Sequence, residues 1–388
     1  MLLDKALTVI RQKVKSLRHK KSEYLEDMNM KSPSSTIYIN DRRISLLDPV
    51  YFIAEIGSNF DQDLSRAKDL IFLAKEAGAD AVKFQHYTAG TLVSDTGFKS
   101  IGNLPSHQEQ WKKSVAETYD DASLDKDWTA DLKHTCDEAG ITFFSSPYSF
   151  DLVDYIDPFV AAYKVGSGDI TWTEIIRKMA QKGKPVLIAT GASDMSEVSR
   201  AVNSALETNT DVVLMQCNTN YTGDSENFKH IHLNVLKSYE KAYPGILLGL
   251  SDHTPGHATT LGAVTLGARV IEKHFTDSTE RDGPDHAFAM TPFSWTEMVN
   301  RTRELEAALG CSIKRVVANE EQTVVAQRRC VRASRELGIG TCLSLKDMEV
   351  LRPSPSEAIP PHELHSLVGK VLTRHIAFGE HLTKNHFE

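Results

Sequence analysis

The sequence predicts a (β/α)8 TIM barrel, an α/β fold, followed by a small β-rich module. Strand-like and helical patterns alternate through about 260 residues from Tyr51 onward, the length of one such barrel. The strand-like runs number eight, as a closed parallel barrel requires. Polar residues stand where these runs end, and barrel enzymes carry their chemistry at the C-terminal ends of the strands.

The eight apolar runs are short and bounded by helical periodicity. They are predicted at Tyr51–Glu55, Ala81–Gln85, Ile141–Ser145, Ala161–Val165, Pro185–Ala189, Asp211–Gln216, Gly245–Leu250 and Arg269–His274. Helices are predicted at Leu64–Ala77, Asp127–Ala139, Met195–Leu206, Ala258–Leu266 and Trp295–Leu309. Gly78 and Gly140 each follow a predicted helix, where a left-handed C-cap is expected. Residues 86–126 form a long crossover, and the sequence is compatible with either an active-site lid or a solvated excursion there.

Composition and charge exclude several classes of protein. A chain of 388 residues has room for two domains, and 41% hydrophobic with 25% charged residues is ordinary for a globular protein. The net charge of -8 argues against a nucleic-acid partner. No apolar run reaches membrane-spanning length and no signal-peptide core is evident, so no membrane partner is expected. Five irregularly spaced cysteines indicate a reducing compartment, and a cytoplasmic location is expected.

Three segments are predicted along the chain. Residues 1–36 combine a basic amphipathic helix with a linker, and this helix could pack on its own protein, on a second subunit or on a membrane surface. Residues 37–312 form the barrel. Residues 318–388 contain short apolar runs broken by Pro and Gly, a composition that predicts a β-rich module.

Two histidines close neighbouring strands at the end of the barrel. His253 and His274 are separated by one predicted helix, so parallel strands would bring both imidazoles to one mouth. With Asp252 and Asp285 nearby, they suggest a divalent metal that keeps open positions. The alternative is that both histidines have a structural role, as helix caps or as core residues.

Hydroxyl and ammonium groups end several other strands. They are Lys83, Ser145, Lys164, Ser167 and Ser251. Together they form a candidate cradle for phosphate and carboxylate groups, since both anions favour such donors. Gly166 and Gly168 flank Ser167 and would let backbone amides approach an anion.

Five motifs in barrel order resemble the sialic acid (N-acetylneuraminate) synthase family. They read Ala54-Glu55-Ile56-Gly57-Ser58-Asn59, Val82-Lys83-Phe84-Gln85, Tyr163-Lys164-Val165-Gly166-Ser167-Gly168, Ser251-Asp252-His253-Thr254 and Glu272-Lys273-His274-Phe275-Thr276. The resemblance covers roughly residues 37–388 and implies that the C-terminal module is the family's SAF (antifreeze-like) domain.

The resemblance implies a transferase that forms a carbon–carbon bond. Phosphoenolpyruvate would condense with an N-acyl amino-sugar aldehyde, such as N-acetylmannosamine, to give a nine-carbon 2-keto-3-deoxy acid and phosphate. His253 and His274 would ligate a divalent metal, foremost Mn2+, with Mg2+ or Co2+ as alternatives. The phosphoenolpyruvate positions would be Lys83, Ser145, Lys164, Ser167 and Ser251. Gln85, Tyr221 and Asp285 would contact the sugar, and Glu55 would stand beside the reacting carbon.

The resemblance also implies a domain-swapped homodimer. In the family, the SAF domain of one subunit caps the barrel mouth of the other, and an arginine in an Arg-Pro motif reaches the N-acyl group of the sugar. Arg352-Pro353 stands at that place. The glycine-rich stretch that usually follows is replaced by Ser354-Pro355-Ser356-Glu357-Ala358, which changes the loop.

Other departures from the family pattern leave alternatives open. Phe60 replaces a histidine, Ala189 a serine and Thr219 an asparagine. The chain could therefore be a legionaminic or pseudaminic acid synthase, or a divergent, non-catalytic protein that binds a sugar acid or phosphoenolpyruvate. A metal-independent Schiff-base aldolase using Lys164 or Lys83 is a further alternative, as is recruitment to a glycan pathway through the N-terminal helix.

Overall fold

The computed structural model describes residues 31–101, 108 and 111–387. The chain divides into two compact units, Met1–Gly310 and Cys311–Glu388. Each unit has a hydrophobic core of its own. The predicted N-terminal amphipathic helix falls within residues 1–30, which lie outside the described residues.

The first unit is built on a closed barrel of eight parallel strands. They are β3 (Tyr51–Glu55), β4 (Ala81–His86), β5 (Thr142–Pro147), β6 (Tyr163–Val165), β7 (Val186–Ala189), β8 (Val212–Cys217), β9 (Leu247–Asp252) and β10 (Ala268–His274). Each strand pairs with the next, and β10 closes the barrel on β3 with His274 opposite Glu55. The predicted (β/α)8 barrel is confirmed.

A short antiparallel hairpin precedes the barrel and was not predicted. It consists of β1 (Thr36–Ile39) and β2 (Arg42–Ser45). Ile37, Ile39 and Ile44 are fully buried and join the same cluster as Tyr51 and Ile53 of β3. The hairpin therefore covers the N-terminal end of the barrel interior, the end opposite the predicted site.

Helices surround the barrel strands. They are α1 (Leu64–Glu76), α2 (Ala89–Leu92), α3 (Asp95–Ile101), α4 (Val115–Ala122), α5 (Thr129–Ala139), α6 (Phe150–Ile156), α7 (Thr173–Gln181), α8 (Met195–Leu206), α9 (Val235–Ala242), α10 (Ala258–Thr265) and α11 (Pro292–Leu309). Local sequence fixes their ends: Asp63 caps α1 by accepting from the amides of Ser65 and Arg66. Gly78 and Gly140 adopt the positive φ expected after α1 and α5.

Strand alternation decides which side chains reach the barrel interior. In β3, Tyr51 and Ile53 join the interior cluster, whereas Phe52 and Ala54 join the core between strands and helices. Side chains repeat with period two along a strand, so Glu55 faces inward like Ile53. The interior is apolar near the strand starts and polar near their C-terminal ends.

The second unit is a small β-containing module. It contains α12 (Glu321–Gln327) and the antiparallel strands β11 (Cys330–Ala333) and β12 (Met348–Leu351). Val331, Leu337, Leu372 and Ile376 are nearly inaccessible and belong to its core. Among the described residues, none of the helices combines the length and apolar character needed to cross a bilayer.

Candidate active site

The C-terminal ends of the barrel strands place a group of ionisable and hydroxyl side chains in the barrel interior. By alternation and contacts, the inward set comprises Glu55, Lys83, Gln85, Ser146, Lys164, Ser251, His253, Glu272 and His274. Apart from the partly exposed Gln85, all of these side chains are buried. A low-dielectric site with this many charges is preorganised for charged reactants.

Two lysines and two glutamates form a continuous ion-pair network across the interior. Lys83 Nζ lies 2.6 Å from Glu55 Oε2 and 3.7 Å from Glu272 Oε1. Lys164 Nζ lies 2.7 Å from the same Glu272 oxygen and donates to Ser251 Oγ at 3.3 Å. Gln85 Nε2 donates to Glu55 Oε1 at 2.6 Å. When Glu55 is ionised, the two positive and two negative charges balance one another.

The network holds its two carboxyls in different states. Burial raises the pKa of Glu55 to about 7, with the charge of Glu272 adding to the effect and Lys83 opposing it. Burial would also raise the pKa of Glu272, but Lys164 and Lys83 outweigh it and lower that pKa to about 2. Near neutral pH, Glu272 is therefore a fixed anion, while Glu55 can gain or lose a proton.

The two histidines lie side by side at the mouth. Their ring centroids are 5.4 Å apart, and Phe288 packs against both. His253 Nδ1 lies 2.8 Å from the carbonyl oxygen of Asn218, so Nδ1 carries the proton and Nε2 presents a lone pair. Burial lowers the pKa of His253 to about 4, and the neighbouring His274 adds a smaller electrostatic effect in the same direction. Burial also lowers the pKa of His274 to about 3, and the charge of Lys83 adds to this effect. Both imidazoles are neutral at pH 7, as metal ligands must be.

Asp285 approaches His274 from the loop after β10. Its Oδ2 is 3.7 Å from His274 Nδ1 and accepts from Ser58 Oγ at 3.1 Å. Gly57 adopts a φ of 54°, and a Cβ there would lie 2.6 Å from the same Asp285 oxygen. Glycine at this position lets the two loops close on each other.

A second set of contacts holds the loop that carries Asp285. His286 is fully buried, with Nε2 2.8 Å from Asp61 Oδ1 and Nδ1 2.8 Å from Thr276 Oγ1. Arg66 donates to both carboxylate oxygens of Asp277, at 2.6 and 2.5 Å. Both contacts tie this loop to the chain just after β3.

Substrate-sized space opens beside these groups. A cavity of about 390 Å3 is lined by Gln85, Ser167, Tyr221, His274 and Asp285, among others. Ser167 Oγ accepts from the amide of Gly191 at 2.9 Å, and Tyr221 packs edge-on against His253 with ring centroids 4.5 Å apart. The structure thus brings ten of the predicted site residues together: Glu55, Lys83, Gln85, Lys164, Ser167, Tyr221, Ser251, His253, His274 and Asp285.

Comparison with known proteins now identifies the family. Residues 70–314 match the NeuB family, and residues 328–388 match the SAF domain. The chain belongs to the NeuB family. The predicted resemblance to sialic acid synthases and the predicted SAF domain are both confirmed.

Two relatives each cover more than four fifths of this NeuB-family chain. N,N'-diacetyllegionaminic acid synthase of Legionella pneumophila is 32% identical over 87% of this chain and 94% of its own. N-acetylneuraminate-9-phosphate synthase of Homo sapiens is 31% identical over 83% of this chain and 88% of its own. Among solved structures, the spore coat polysaccharide biosynthesis protein spsE of Bacillus subtilis is 26% identical, with a TM-score of 0.58 over 91% of this chain and 99% of that one.

Two predicted placements in the NeuB barrel need correction. Ser145 faces outward, where its Oγ lies 2.6 Å from His86 Nδ1 and donates to the carbonyl oxygen of Phe84. Ser146 takes the inward position, and its Oγ accepts a hydrogen bond from Lys83 Nζ at 3.2 Å. Asp252 also faces outward and accepts from Lys273 at 2.5 Å, so it is not beside the histidines' open face.

Glu272 was missed as a site residue. It stands two positions before His274 on β10, and this period-two spacing is the signal that could have revealed its inward direction. Arg352 follows β12 in the second unit and is exposed. Its predicted contact with a sugar stays a prediction.

The departures from the family pattern fall mostly outside the ion-pair network. Phe60 is fully buried against Trp128 and Phe84, with ring centroids 6.1 and 6.4 Å away, and acts as a core residue. Ala189 is buried at the end of β7. Thr219 packs so closely on Gly191 that a Cβ there would lie 2.3 Å from its methyl carbon. None of these three residues belongs to the ion-pair network of Lys83, Lys164, Glu55 and Glu272.

Proposed function

We propose that this protein condenses phosphoenolpyruvate with an N-acyl amino-sugar aldehyde to give a nine-carbon 2-keto-3-deoxy acid and inorganic phosphate. The observation that carries the proposal is the buried network of Lys83, Lys164, Glu55 and Glu272 beside two neutral imidazoles. Membership of the NeuB family supports the same reaction class.

The two lysines would hold the anionic groups of phosphoenolpyruvate. Lys83 and Lys164 are almost fully buried and already oriented by carboxylates, so they need little reorganisation when an anion arrives. Ser146 and Ser251, each within 3.3 Å of one lysine, would supply hydroxyl donors. Glu272 keeps both ammonium groups in place between turnovers.

His253 and His274 would hold a divalent metal, with Mn2+ as the first candidate and Mg2+ or Co2+ as alternatives. The residues fit this role because His253 presents Nε2, both rings are neutral, and His274 Nδ1 has no hydrogen-bond partner among the described residues. Within the described part of the chain, no group of three or more His, Cys, Asp or Glu side chains is arranged so that it could hold a metal ion. When bound, the metal would polarise the aldehyde oxygen of the acceptor.

Glu55 would act on charge that develops during the reaction. The new bond forms between the methylene carbon of phosphoenolpyruvate and the aldehyde carbon, whose oxygen takes a proton. Positive charge builds on the neighbouring enol carbon, water adds there, and the carbon–oxygen bond to phosphate breaks. Glu55, with its pKa near 7, would stabilise this charge as a carboxylate and accept the proton of the water.

The decisive experiment measures phosphate release from phosphoenolpyruvate with a panel of N-acyl hexosamines, with Mn2+ and with chelator. His253→Ala and His274→Ala should abolish release and leave the denaturation midpoint unchanged. His362→Ala, with a side chain 79% exposed, is the matched control and should retain activity. If either mouth variant releases phosphate normally in chelator, the two-histidine site is wrong. Binding of phosphoenolpyruvate with no release under any condition would favour a binding protein instead.

A Schiff-base aldolase is the second candidate function, and the same protein sample can be used to test it. Its nucleophilic amine would need a depressed pKa, yet Glu272 and Glu55 overcome burial and hold the pKa of Lys83 above its usual value. Lys164 is likewise engaged by Glu272 at 2.7 Å. Borohydride reduction with substrate should therefore leave the mass of the protein unchanged, and a stable adduct would favour the aldolase.

We further propose a homodimer in which Arg352 of one subunit contacts the N-acyl group bound by the other. The SAF-domain match and the exposed position of Arg352 after β12 support this arrangement. A planar guanidinium suits hydrogen bonding to an acyl oxygen.

A further inference from the structure

One buried histidine outside the ion-pair network joins two loops at the mouth of the barrel. His286 follows Asp285 directly in the loop after β10 and is fully buried. Its Nε2 lies 2.8 Å from Asp61 Oδ1, and its Nδ1 lies 2.8 Å from Thr276 Oγ1. Because carboxylate oxygens accept hydrogen bonds, Nε2 donates to Asp61, and Nδ1 faces a hydroxyl that can donate to it. Two partners therefore fix both the position and the tautomer of the ring.

The chain on both sides of this ring is shaped to hold it. A Cβ at position 283 would lie 2.6 Å from His286 Cδ2, so Gly283 leaves the room that the ring occupies. Asp61 and Gln62 adopt φ angles of 52° and 57°, a left-handed conformation that residues other than glycine keep only where their surroundings enforce it. Arg66 Nε lies 3.1 Å from Asp61 Oδ2, while His286 engages the other oxygen. Contacts to both carboxylate oxygens thus hold this turn.

The residue that this arrangement places at the active-site cavity is Asp285. It lines the cavity together with Ser58 and His274, and 19% of its side chain is exposed. Its Oδ2 accepts from Ser58 Oγ at 3.1 Å and lies 3.7 Å from His274 Nδ1. Positions 281–283 of the same loop are exposed, so the buried ring of His286 is the anchor next to Asp285. Among the described residues that line the cavity His286 is absent, and any effect it has on the reaction passes through its neighbours.

We infer that His286 is a positioning residue for the proposed reaction and acts by holding the carboxylate of Asp285 at the cavity. This inference rests on the proposed function and adds to it a residue that contacts neither substrate. Asp285 has a short side chain, so a shift of its backbone moves the carboxylate by a similar distance. A displacement of about 1 Å within a catalytic arrangement can cost about a hundredfold in rate. A histidine with a core role alone would instead affect stability and leave the kinetic constants of the folded enzyme unchanged.

The test measures phosphate release with Mn2+ and the amino sugar that reacts fastest in the panel of N-acyl hexosamines. His286→Phe keeps the aromatic volume and removes both hydrogen bonds, and it should lower kcat/KM for the amino sugar by at least about thirtyfold. The KM for phosphoenolpyruvate should stay within about threefold, because the lysines that would hold it belong to the separate ion-pair network. His286→Gln can still donate from its amide nitrogen to Asp61 and should recover most of the loss.

A second buried histidine provides the matched control. His86 is 1% exposed and also bridges two hydroxyl groups, at 2.6 and 2.8 Å, but lies in the outer layer of the barrel. His86→Phe should lower the free energy of unfolding about as much as His286→Phe does, while kcat/KM of the folded enzyme stays within about threefold of wild type. If His286→Phe does not fold, Asp61→Ala takes its place with the same expectation, since the side chain of Asp61 is 30% exposed.

A double-mutant cycle shows whether the effect passes through Asp285. In the background of Asp285→Asn, His286→Phe should lower kcat/KM by less than about threefold further, because the group it positions is already gone. If Asp285→Asn has no measurable rate, the single variants and the His86 control decide the question. The inference is overturned if folded His286→Phe stays within about threefold of wild type, if His86→Phe loses as much activity, or if Asp285→Asn is as active as wild type. Absence of phosphate release by the wild type with every acceptor would contradict the proposed function itself.

Discussion

Replacing Lys164 with methionine would leave a buried carboxylate without its nearest partner. Lys164 Nζ lies 2.7 Å from Glu272 Oε1, and the two side chains are 3% and 6% exposed. At an effective dielectric constant of about 20, charges at this distance attract by about 6 kcal/mol, much of it offset by desolvation. Methionine keeps most of the apolar volume, so the loss of charge dominates the effect.

The expected cost is about 3–5 kcal/mol of unfolding free energy, the usual result of removing one partner of a buried pair. Lys83, 3.7 Å from the same Glu272 oxygen, remains and should keep the cost near the lower end of that range. Denaturant unfolding followed by circular dichroism measures it. The double variant Lys164→Met/Glu272→Gln should recover at least half of the loss, because the stranded charge is gone.

A second buried pair provides the control for function. Lys273 and Asp252 lie 2.5 Å apart, each 1% exposed, on the outer face of the barrel. Lys273→Met should cost stability by a similar amount, while the folded enzyme retains phosphate release. Lys164→Met should lose it. The reasoning is refuted if Lys164→Met unfolds within about 1 kcal/mol of wild type, the size expected for an exposed pair.

Three further predictions follow from the same site. Glu55→Gln should lower kcat at least a hundredfold with little change in the KM for phosphoenolpyruvate, since the carboxylate acts on developing charge. Stopped assays over a range of phosphoenolpyruvate concentrations measure both constants. An unchanged kcat with a raised KM would reassign Glu55 to substrate binding. In the wild type, kcat/KM should rise with pH through about 7, because Glu55 is protonated below that pKa and active as the anion above it; a profile flat from pH 6 to 8 would contradict this role. Mixing inactive His253→Ala with inactive Arg352→Ala should restore up to about half of wild-type activity per mixed dimer; demonstrated subunit exchange with no recovery would exclude action across the dimer.

The architecture could be predicted from sequence because barrel strands leave a strong pattern. Each buried strand is a short apolar run, and the helices between them carry recognisable caps such as Asp63 and Gly140. The hairpin β1–β2 escaped prediction because its strands are only four residues long and half exposed. The sequence does not decide the structure of the crossover after β4, because its short helices bury few apolar residues of their own.

The direction of single side chains was harder to predict than the position of the strands. The stretch Phe143-Phe144-Ser145-Ser146 is buried on both faces, so it has no alternation of polar and apolar residues to show which face is which. The sequence therefore predicts Ser145 as a member of the cradle, whereas Ser146 holds the inward position. A one-residue difference moves a side chain to the opposite face of the barrel.

Polar residues at the strand ends therefore divide into two groups with different tasks. The outer group joins strands to helices: His86 bridges Ser145 and Thr129, and Asp252 accepts from Lys273 and Thr259. Each of these contacts satisfies a polar group in the layer between barrel and helices, where an unpaired group would be costly.

The inner group is satisfied less completely. Among the described residues, Glu272 Oε2 and His274 Nδ1 are buried without a hydrogen-bond partner. Since buried polar atoms in folded proteins are generally paired, unpaired atoms at two neighbouring inward positions of β10 favour groups that a bound ligand completes. The outer polar groups named above are paired at the same height at which two atoms of the inner group have no partner among the described residues. This division explains why the strand ends of this barrel are polar on both faces while the residues of the proposed reaction lie on one.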